Sequence, residues 1–199
     1  MQALVEARTG AEIRAVIANR GDAKGLEWAR SKGLATQVVE HREFASREAF
    51  DAAMAKVIDG FAPDYILLAG FMRILTAGFI ERFKRRILNI HPSLLPAFPG
   101  LHTHRQALAA GVKVHGATVH FVTPDLDSGP IVIQGVVPVL AGDTEEKLAA
   151  RVLEIEHRIY PQALRWLAED RIEFAAGDVV QVRATGVLKE TMISPGNRP

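Results

Sequence analysis

An amide and an imidazole stand two residues apart at the end of an apolar stretch, at Asn89 and His91. In a strand the side chains alternate between two faces, so Asn89 and His91 point one way while Leu88 and Ile90 point the other. Imidazole can transfer a proton near neutral pH, and a carboxamide N–H can donate to a developing oxyanion. The pair predicts a site that moves a proton and stabilises an oxygen anion.

A carboxylate that could orient this imidazole is expected from the turn 123–130, which is bounded by Gly and Pro and contains Asp125 and Asp127. The residues alone leave both as candidates. His120 alternates with apolar neighbours, so it either faces the site or is a structural histidine. Four histidines have no acidic or thiolate partner at metal-ligand spacing, so we expect no metal; they are His102, His104, His115 and His120.

Apolar runs typical of strands alternate with helical patterns along the chain. The predicted strands are Ile13–Ile17, Thr36–Val39, Asp64–Ala69 (buried on both faces), Ile87–His91, Ala117–Val122, Ile131–Val139, and a hairpin of Arg171–Phe174 with Val179–Val182. This alternation predicts an α/β fold with a doubly wound, mostly parallel sheet. Ligands of such sheets bind beyond the carboxyl ends of the strands, which selects the loop after Ala69 and the end of the strand with Asn89 and His91.

Polar residues before apolar periodic segments predict where the helices begin. Ser46 and Thr76 each precede such a segment, and a further helix is expected around residues 104–110. Asp22 is predicted to cap another helix, which ends at Gly33. Asp143 and Glu146 form a predicted capping box, and the helix that begins there runs towards Asp170 and is kinked or broken at Pro161.

Composition limits the functional classes. The 199 residues are 48% apolar and 24% charged, with a net charge of +1 and no Cys. This predicts one domain over 1–185 with a loose tail over 186–199, no attraction to nucleic acid or a membrane surface, and no thiolate nucleophile. No apolar run approaches the ~20 residues that span a bilayer, and the N-terminus lacks a signal-peptide pattern, so we expect a cytoplasmic enzyme.

Several spaced motifs resemble those of the folate-dependent formyltransferase superfamily. They are Asn89-Ile90-His91-Pro92-Ser93-Leu94-Leu95-Pro96, Pro99-Gly100, His115-Gly116, His120 and Leu126-Asp127-Ser128-Gly129-Pro130, with further likeness in 70–75 and 156–161. The resemblance extends over 1–174. It implies the formyltransferase fold and transfer of a formyl group from the co-substrate 10-formyltetrahydrofolate to the amine of glycinamide ribonucleotide. The product would be formylglycinamide ribonucleotide, in the de novo synthesis of the purine nucleotide IMP.

The resemblance also implies roles for matching residues. His91 would be the general acid and base, and Asn89 would help hold the oxyanion and contact the formyl group. Asp127 would pair with His91 or with its water network and favour the charged form of His91. Asp125 would be only a turn residue. The folate would be bound by Arg47 and by the loop Met72-Arg73-Ile74-Leu75, and glycinamide ribonucleotide would be met by Glu156.

One departure from the family pattern concerns the first residues. The family begins with a strand and a Gly-Ser-Asn loop that binds the substrate phosphate at a helix N-terminus. This sequence opens with a helical pattern at Leu4 and Val5. As written, the chain is expected to lack that strand and loop, to be poorly stable and to bind glycinamide ribonucleotide weakly, unless the protein starts upstream.

Alternative functions remain open at this point. One is an N-terminally truncated, inactive folate-binding protein. The other is a different transferase or hydrolase that uses 10-formyltetrahydrofolate, although the extra domains of such enzymes have no counterpart in the sequence. Whether the chain forms a homodimer is also left open.

Overall fold

Residues 1–183 and residue 194 are described by the structure, a computed structural model. The predicted loose tail, 186–199, therefore lies outside the described residues except at Ser194. The boundary of the predicted domain at residue 185 falls outside them as well.

Eight short strands form three sheets in the described residues. They are β1 (Val16–Ala18), β2 (Thr36–Val38), β3 (Ile66–Leu68), β4 (Ile87–His91), β5 (Val114–Phe121), β6 (Ile131–Pro138), β7 (Ile172–Phe174) and β8 (Val180–Val182). The pairs β1·β2 and β3·β4 are parallel, whereas β5 runs antiparallel to β4, and β6 to β5. β7 and β8 form the predicted antiparallel hairpin.

Six α-helices accompany the strands in the described part of the chain: α1 (Gln2–Glu6), α2 (Lys24–Ser31), α3 (Arg47–Phe61), α4 (Ala77–Arg82), α5 (Thr103–Ala109) and α6 (Glu145–Ala168). The alternation confirms the predicted α/β class. Two predicted caps are confirmed, because Ser46 Oγ accepts from Ala49 N at 3.1 Å and Thr76 Oγ1 accepts from Phe79 N at 3.3 Å. None of these helices is long and apolar enough to cross a membrane.

The helix start predicted at Asp22 is wrong. α2 begins at Lys24, and Ala23 precedes it without a side-chain cap. Asp22 instead accepts a hydrogen bond from Arg20 Nε at 2.9 Å, so a charged partner on the preceding turn takes the carboxylate away from the helix. The predicted stop at Gly33 holds, since that residue has a φ of +73° and its N–H bonds to Arg30 O.

The long helix α6 also differs from its prediction at two points. Thr144 is its cap, while Asp143 accepts hydrogen bonds from Leu140 N and from Arg151, both at 2.8 Å. The guanidinium of Arg151 is a stronger partner for the carboxylate than a helix N–H. The helix is not broken at Pro161, which is buried with its neighbours. Packing of this face outweighs the lost hydrogen bond, which costs ~3 kcal/mol in a helix interior.

β3 is only half-buried along its three residues, so the prediction of a strand buried on both faces is wrong. Within the described residues, β3 pairs with β4 alone, and β1 pairs with β2 alone. A strand that lacks a neighbour on one side leaves its side chains partly open on that side.

Two apolar clusters lie on opposite faces of the sheet, as in a doubly wound fold. Leu88 faces the cluster built on α6, and its neighbour Ile87 faces the cluster built on α3 and α4. The buried hydroxyl of Tyr160, on α6, lies 2.9 Å from Leu68 O and 3.1 Å from Leu88 O. One donor thus links the carboxyl end of β3 to β4, the strand that carries Asn89 and His91.

Candidate active site

The end of β4 and the turn after β5 bring an imidazole and a carboxylate together. His91 is 6% exposed, and its Nδ1 lies 3.4 Å from Oδ2 of Asp127. The other ring nitrogen, Nε2, lies 3.1 Å from the carbonyl oxygen of Phe98. A carbonyl only accepts, so Nε2 carries a hydrogen. Both nitrogens therefore face acceptors, and the imidazolium is the form of His91 that satisfies both.

Asp127 is held in place from two sides. Its backbone φ is +49°, a left-handed conformation that Asp tolerates better than most residues. Its Oδ2 accepts a hydrogen bond from Gly100 N at 2.9 Å, which fixes the carboxylate against the loop that follows β4. Asp125, the other candidate, lies exposed on the outside of the same turn. The structure thus directs Asp127, and not Asp125, towards His91.

Asn89 faces the same side as His91 and lies opposite His120 in the β4–β5 pair. Its Nδ2 is 3.4 Å from Nε2 of His120, whose Nδ1 is 3.0 Å from Phe121 O. Burial lowers the pKa of His120, which favours the neutral ring. Nδ1 then holds the hydrogen and Nε2 accepts from Asn89. The second N–H of the amide has no hydrogen-bond partner among the described residues.

The loop between β4 and α5 is fixed by a buried polar group that the sequence did not single out. Thr118 is fully buried on β5, and its hydroxyl donates to Ser93 O at 2.7 Å. The hydroxyl oxygen of Thr118 also accepts hydrogen bonds from Leu95 N at 3.0 Å and from Gln134 Nε2 at 2.9 Å. These bonds hold the loop at the end of β4, so they stabilise the position of His91 as well.

A cavity of about 230 Å³ opens beside Asp127. Apolar side chains of the two loops line it, among them Leu95, Pro96, Pro99 and Leu126. A larger hollow of about 480 Å³ lies between the same turn and residues 177–180, and Asp127 does not line it. Neither His91 nor Asn89 lines either cavity. The smaller cavity is the candidate binding space because Asp127, which contacts His91, is part of its lining.

Comparison with known proteins assigns the family. The sequence pattern of the formyl transferase family matches residues 1–164. The chain belongs to the formyl transferase family.

Two relatives of this formyl transferase illustrate its place in the family. Phosphoribosylglycinamide formyltransferase of Escherichia coli (strain K12) is 50% identical over 177 residues, which cover 87% of this chain and 84% of that protein. The trifunctional purine biosynthetic protein adenosine-3 of Gallus gallus is 46% identical over 163 residues, which cover 82% of this chain and 16% of that longer protein.

A solved structure of a glycinamide ribonucleotide transformylase has the same fold. Glycinamide ribonucleotide transformylase 1 from Symbiobacterium toebii superposes with a TM-score of 0.87 at 49% identity, over 91% of this chain and 87% of that one. The predicted formyltransferase fold is therefore confirmed.

The loop 70–75 of this formyl transferase alternates between solvent and core. Met72 is 77% exposed and Ile74 is 62% exposed, whereas Leu75 is buried. The guanidinium carbon of Arg73 lies 5.2 Å from the ring centre of Phe50, at cation–π distance. The predicted ligand-binding loop thus presents its apolar tips outward and is fastened on α3.

No hydrogen bond or ion pair among the described residues joins Arg47 or Glu156 to His91, Asn89 or Asp127. Arg47 is exposed at the first residue of α3, the helix that supports the loop 70–75. Glu156 is half-buried on α6, and burial raises the pKa of its carboxyl. Residues 1–183 contain no group of three His, Cys, Asp or Glu placed to hold a metal ion.

Proposed function

We propose that this formyl transferase transfers a formyl group from 10-formyltetrahydrofolate to the primary amine of glycinamide ribonucleotide, giving formylglycinamide ribonucleotide in purine biosynthesis. The observation that carries the proposal is His91 lying between Phe98 O and the Asp127 carboxylate, with the Asn89 amide on the same strand face. The 50% identity to the Escherichia coli phosphoribosylglycinamide formyltransferase supports the choice of acceptor.

The reaction needs an acid and an oxyanion donor at one carbon. The amine nitrogen of glycinamide ribonucleotide attacks the formyl carbon, and the carbonyl electrons move to its oxygen. The imidazolium of His91 and the free N–H of Asn89 stabilise that oxyanion. Collapse of the tetrahedral intermediate breaks the bond between the carbon and the folate nitrogen. The amine loses a proton and the folate nitrogen gains one, with Asp127 and a water molecule as the relay.

Transfer is direct in this proposal, without an acyl-enzyme. The sequence contains no Cys, and Ser93 is not activated by a base, because its hydroxyl donates to Ala97 O at 2.6 Å. Catalysis then depends on electrostatic stabilisation and proton transfer around His91. In sites of this kind, removal of one oxyanion donor costs ~10²–10³ in rate.

We assign folate binding to the loop Met72-Arg73-Ile74-Leu75 and to Arg47, with Asn89 contacting the formyl group. Two observations support this: Met72 and Ile74 are exposed, and Arg73 packs on Phe50, one turn after Arg47 on α3. A cation at Arg47 suits the carboxylates of a folate. We assign contact with glycinamide ribonucleotide to Glu156, whose half-buried carboxyl can accept hydrogen bonds from an amine or hydroxyl.

The same proposal includes a single domain over 1–185, a loose tail over 186–199, and a cytoplasmic location. The lack of Cys fits a reducing compartment. A monomer and a homodimer are both compatible with the site, because all of its proposed residues come from one chain. Sedimentation of the full chain at several concentrations distinguishes the two.

A steady-state assay with glycinamide ribonucleotide and a 10-formylfolate, followed by folate absorbance, tests the function. Formylation of the amine is the expected result, and the product is identified by mass spectrometry. Release of formate with no formylated amine would show a hydrolase. Folate binding without either product would show an inactive binding protein, and both results would overturn the proposal.

A further inference from the structure

A buried carboxylate on α3 is bonded to the loop 70–75 where that loop ends. Asp51 is 4% exposed, and its Oδ2 accepts a hydrogen bond from Thr76 N at 2.7 Å. A buried carboxylate is costly unless a hydrogen bond compensates it, and a short bond to an ionised acceptor is among the stronger kinds. The Asp51–Thr76 bond therefore ties the end of the loop to the helix beneath it.

Neighbouring contacts fasten the same end of the loop. Arg73 lies over the ring of Phe50, the residue that precedes Asp51, and Leu75 packs in the same apolar cluster as Phe50. Thr76 in turn caps α4 by accepting from Phe79 N. Consecutive residues of α3 thus hold the inward side of the loop, while its outward residues stay exposed.

We propose that Asp51 is a positioning residue for the formyl donor. By holding Thr76 N it fixes the backbone of the loop 70–75, so that the loop is preorganised before the folate arrives. Asp51 acts through the loop and does not touch the ligand. This inference rests on the proposed function only in taking a folate as the ligand of that loop.

Two substitutions at Asp51 distinguish loss of its hydrogen bond to Thr76 N from a general loss of the fold. Asp51→Ala removes the acceptor, whereas Asp51→Asn keeps an oxygen that can accept the same N–H. Asp59→Asn is the matched control, because Asp59 is an exposed carboxylate on α3 that pairs with Arg82 of α4. All three changes affect one helix and its link to the segment 70–82.

Amide hydrogen exchange, read by mass spectrometry without ligand, tests the positioning directly. We expect Asp51→Ala to speed exchange in 70–76 with little change in peptides of β5 and β6, and Asp51→Asn to restore much of the protection. Asp59→Asn should leave 70–76 as in the original chain. Equal loss of protection throughout the chain would show a structural role alone and overturn the proposal.

Ligand measurements complete the test. For Asp51→Ala we expect the KM of the formyl donor and the Kd of an unreactive folate to rise by about tenfold, the scale of one charge-assisted hydrogen bond. The KM of the amine substrate should stay within about twofold, because loss of one loop bond does not reach that subsite. Unchanged donor KM and Kd in Asp51→Ala would overturn the inference while leaving the function intact. Tight folate binding that depends on Asp51, without formylation of glycinamide ribonucleotide, would uphold the inference and overturn the function.

Discussion

The amide nitrogen of Asn89 lies 3.4 Å from Nε2 of His120, its direct partner across the antiparallel pair of β4 and β5. Because His120 also bonds to Phe121 O and is buried, its ring presents an acceptor and not a donor to Asn89. That acceptor fixes which way the amide points. The proposed N–H donor on Asn89 therefore depends on a histidine that has no direct part in the proposed proton transfer.

We expect His120→Leu to lower kcat by about tenfold or more, the scale of one lost hydrogen bond in the transition state. His120→Gln should lower kcat by less, because the side-chain carbonyl oxygen of Gln can accept a hydrogen bond from Asn89. Steady-state kinetics of both variants provide the measurement, with thermal melting to confirm that each is folded. Equal activity of the Leu and Gln variants would contradict an acceptor role for His120.

His91→Ala should lower kcat at least ~10²–10³-fold, because the variant loses the acid that stabilises the oxyanion in the proposed mechanism. The kcat of Asn89→Ala should fall as far, since this substitution removes the second proposed donor to the oxyanion. His157→Ala is the matched control: this histidine is exposed on α6, and its removal should leave turnover near that of the original chain. Turnover of His91→Ala close to the original value would refute the mechanism.

Asp127→Asn should lower kcat markedly while the fold survives. Asn tolerates the φ of +49° and keeps an oxygen for Gly100 N, so only the charge opposite His91 is lost. The imidazolium then loses its carboxylate partner, which weakens the proposed stabilisation of the oxyanion. Asp125→Asn, on the exposed side of the turn, should leave kcat unchanged, and steady-state kinetics of both variants provide the measurement. The idea fails if the two variants behave alike.

Local patterns predicted the strand with Asn89 and His91, and the caps at Ser46 and Thr76, because alternation and capping depend on residues a few positions apart. The position of His120 opposite Asn89 depends on the antiparallel register of β4 and β5, which local periodicity does not determine. The choice of Asp127 over Asp125 came from the family resemblance. In the structure it depends on the left-handed backbone of Asp127 and its bond to Gly100 N.

The errors have the same origin. Asp143 suited a capping box in the sequence, but its carboxylate instead accepts hydrogen bonds from Arg151, two turns into α6. Pro161 suggested a kink or a break, and the break does not occur, because burial of Pro161 with neighbouring residues of α6 keeps the helix continuous. Both outcomes depend on contacts that form only once the helix has formed or packed against the sheet.

Gly116→Ala should destabilise the fold by about 3 kcal/mol or more, because a Cβ there would lie 1.9 Å from the backbone oxygen of Gly135 on the paired strand β6. Relief requires β5 and β6 to separate beneath α6. Gly60→Ala is the control: a Cβ at that helical position meets no atom within 4 Å and should stabilise by about 0.5–1 kcal/mol. Urea denaturation gives both free energies of unfolding. A neutral Gly116→Ala would contradict the close approach of β5 and β6.

Stability should fall in acid because of His115. This residue is 1% exposed, its ring nitrogens make no hydrogen bond among the described residues, and the ring of His104 lies edge-on at 5.3 Å. Burial is the main cause that lowers the pKa of His115 from 6.5 to about 4, and nearby His104 lowers it further. Between these two pH values the unfolded chain binds a proton that the folded chain does not. The free energy of unfolding therefore decreases as the pH falls from 6.5 to about 4, and this group causes no further loss below that.

The size of this effect is of order 3 kcal/mol, from the linkage of 1.36 kcal/mol per pKa unit. Burial also lowers the pKa values of His104 and His120, which adds loss of the same sign. Urea denaturation at a series of pH values between 7.5 and 4 measures the slope. His115→Leu should flatten that slope, because the titrating group is gone, whereas His157→Ala should leave it unchanged. If His115→Leu loses stability in acid as steeply as the original chain, then His115 is not the group that links folding to pH.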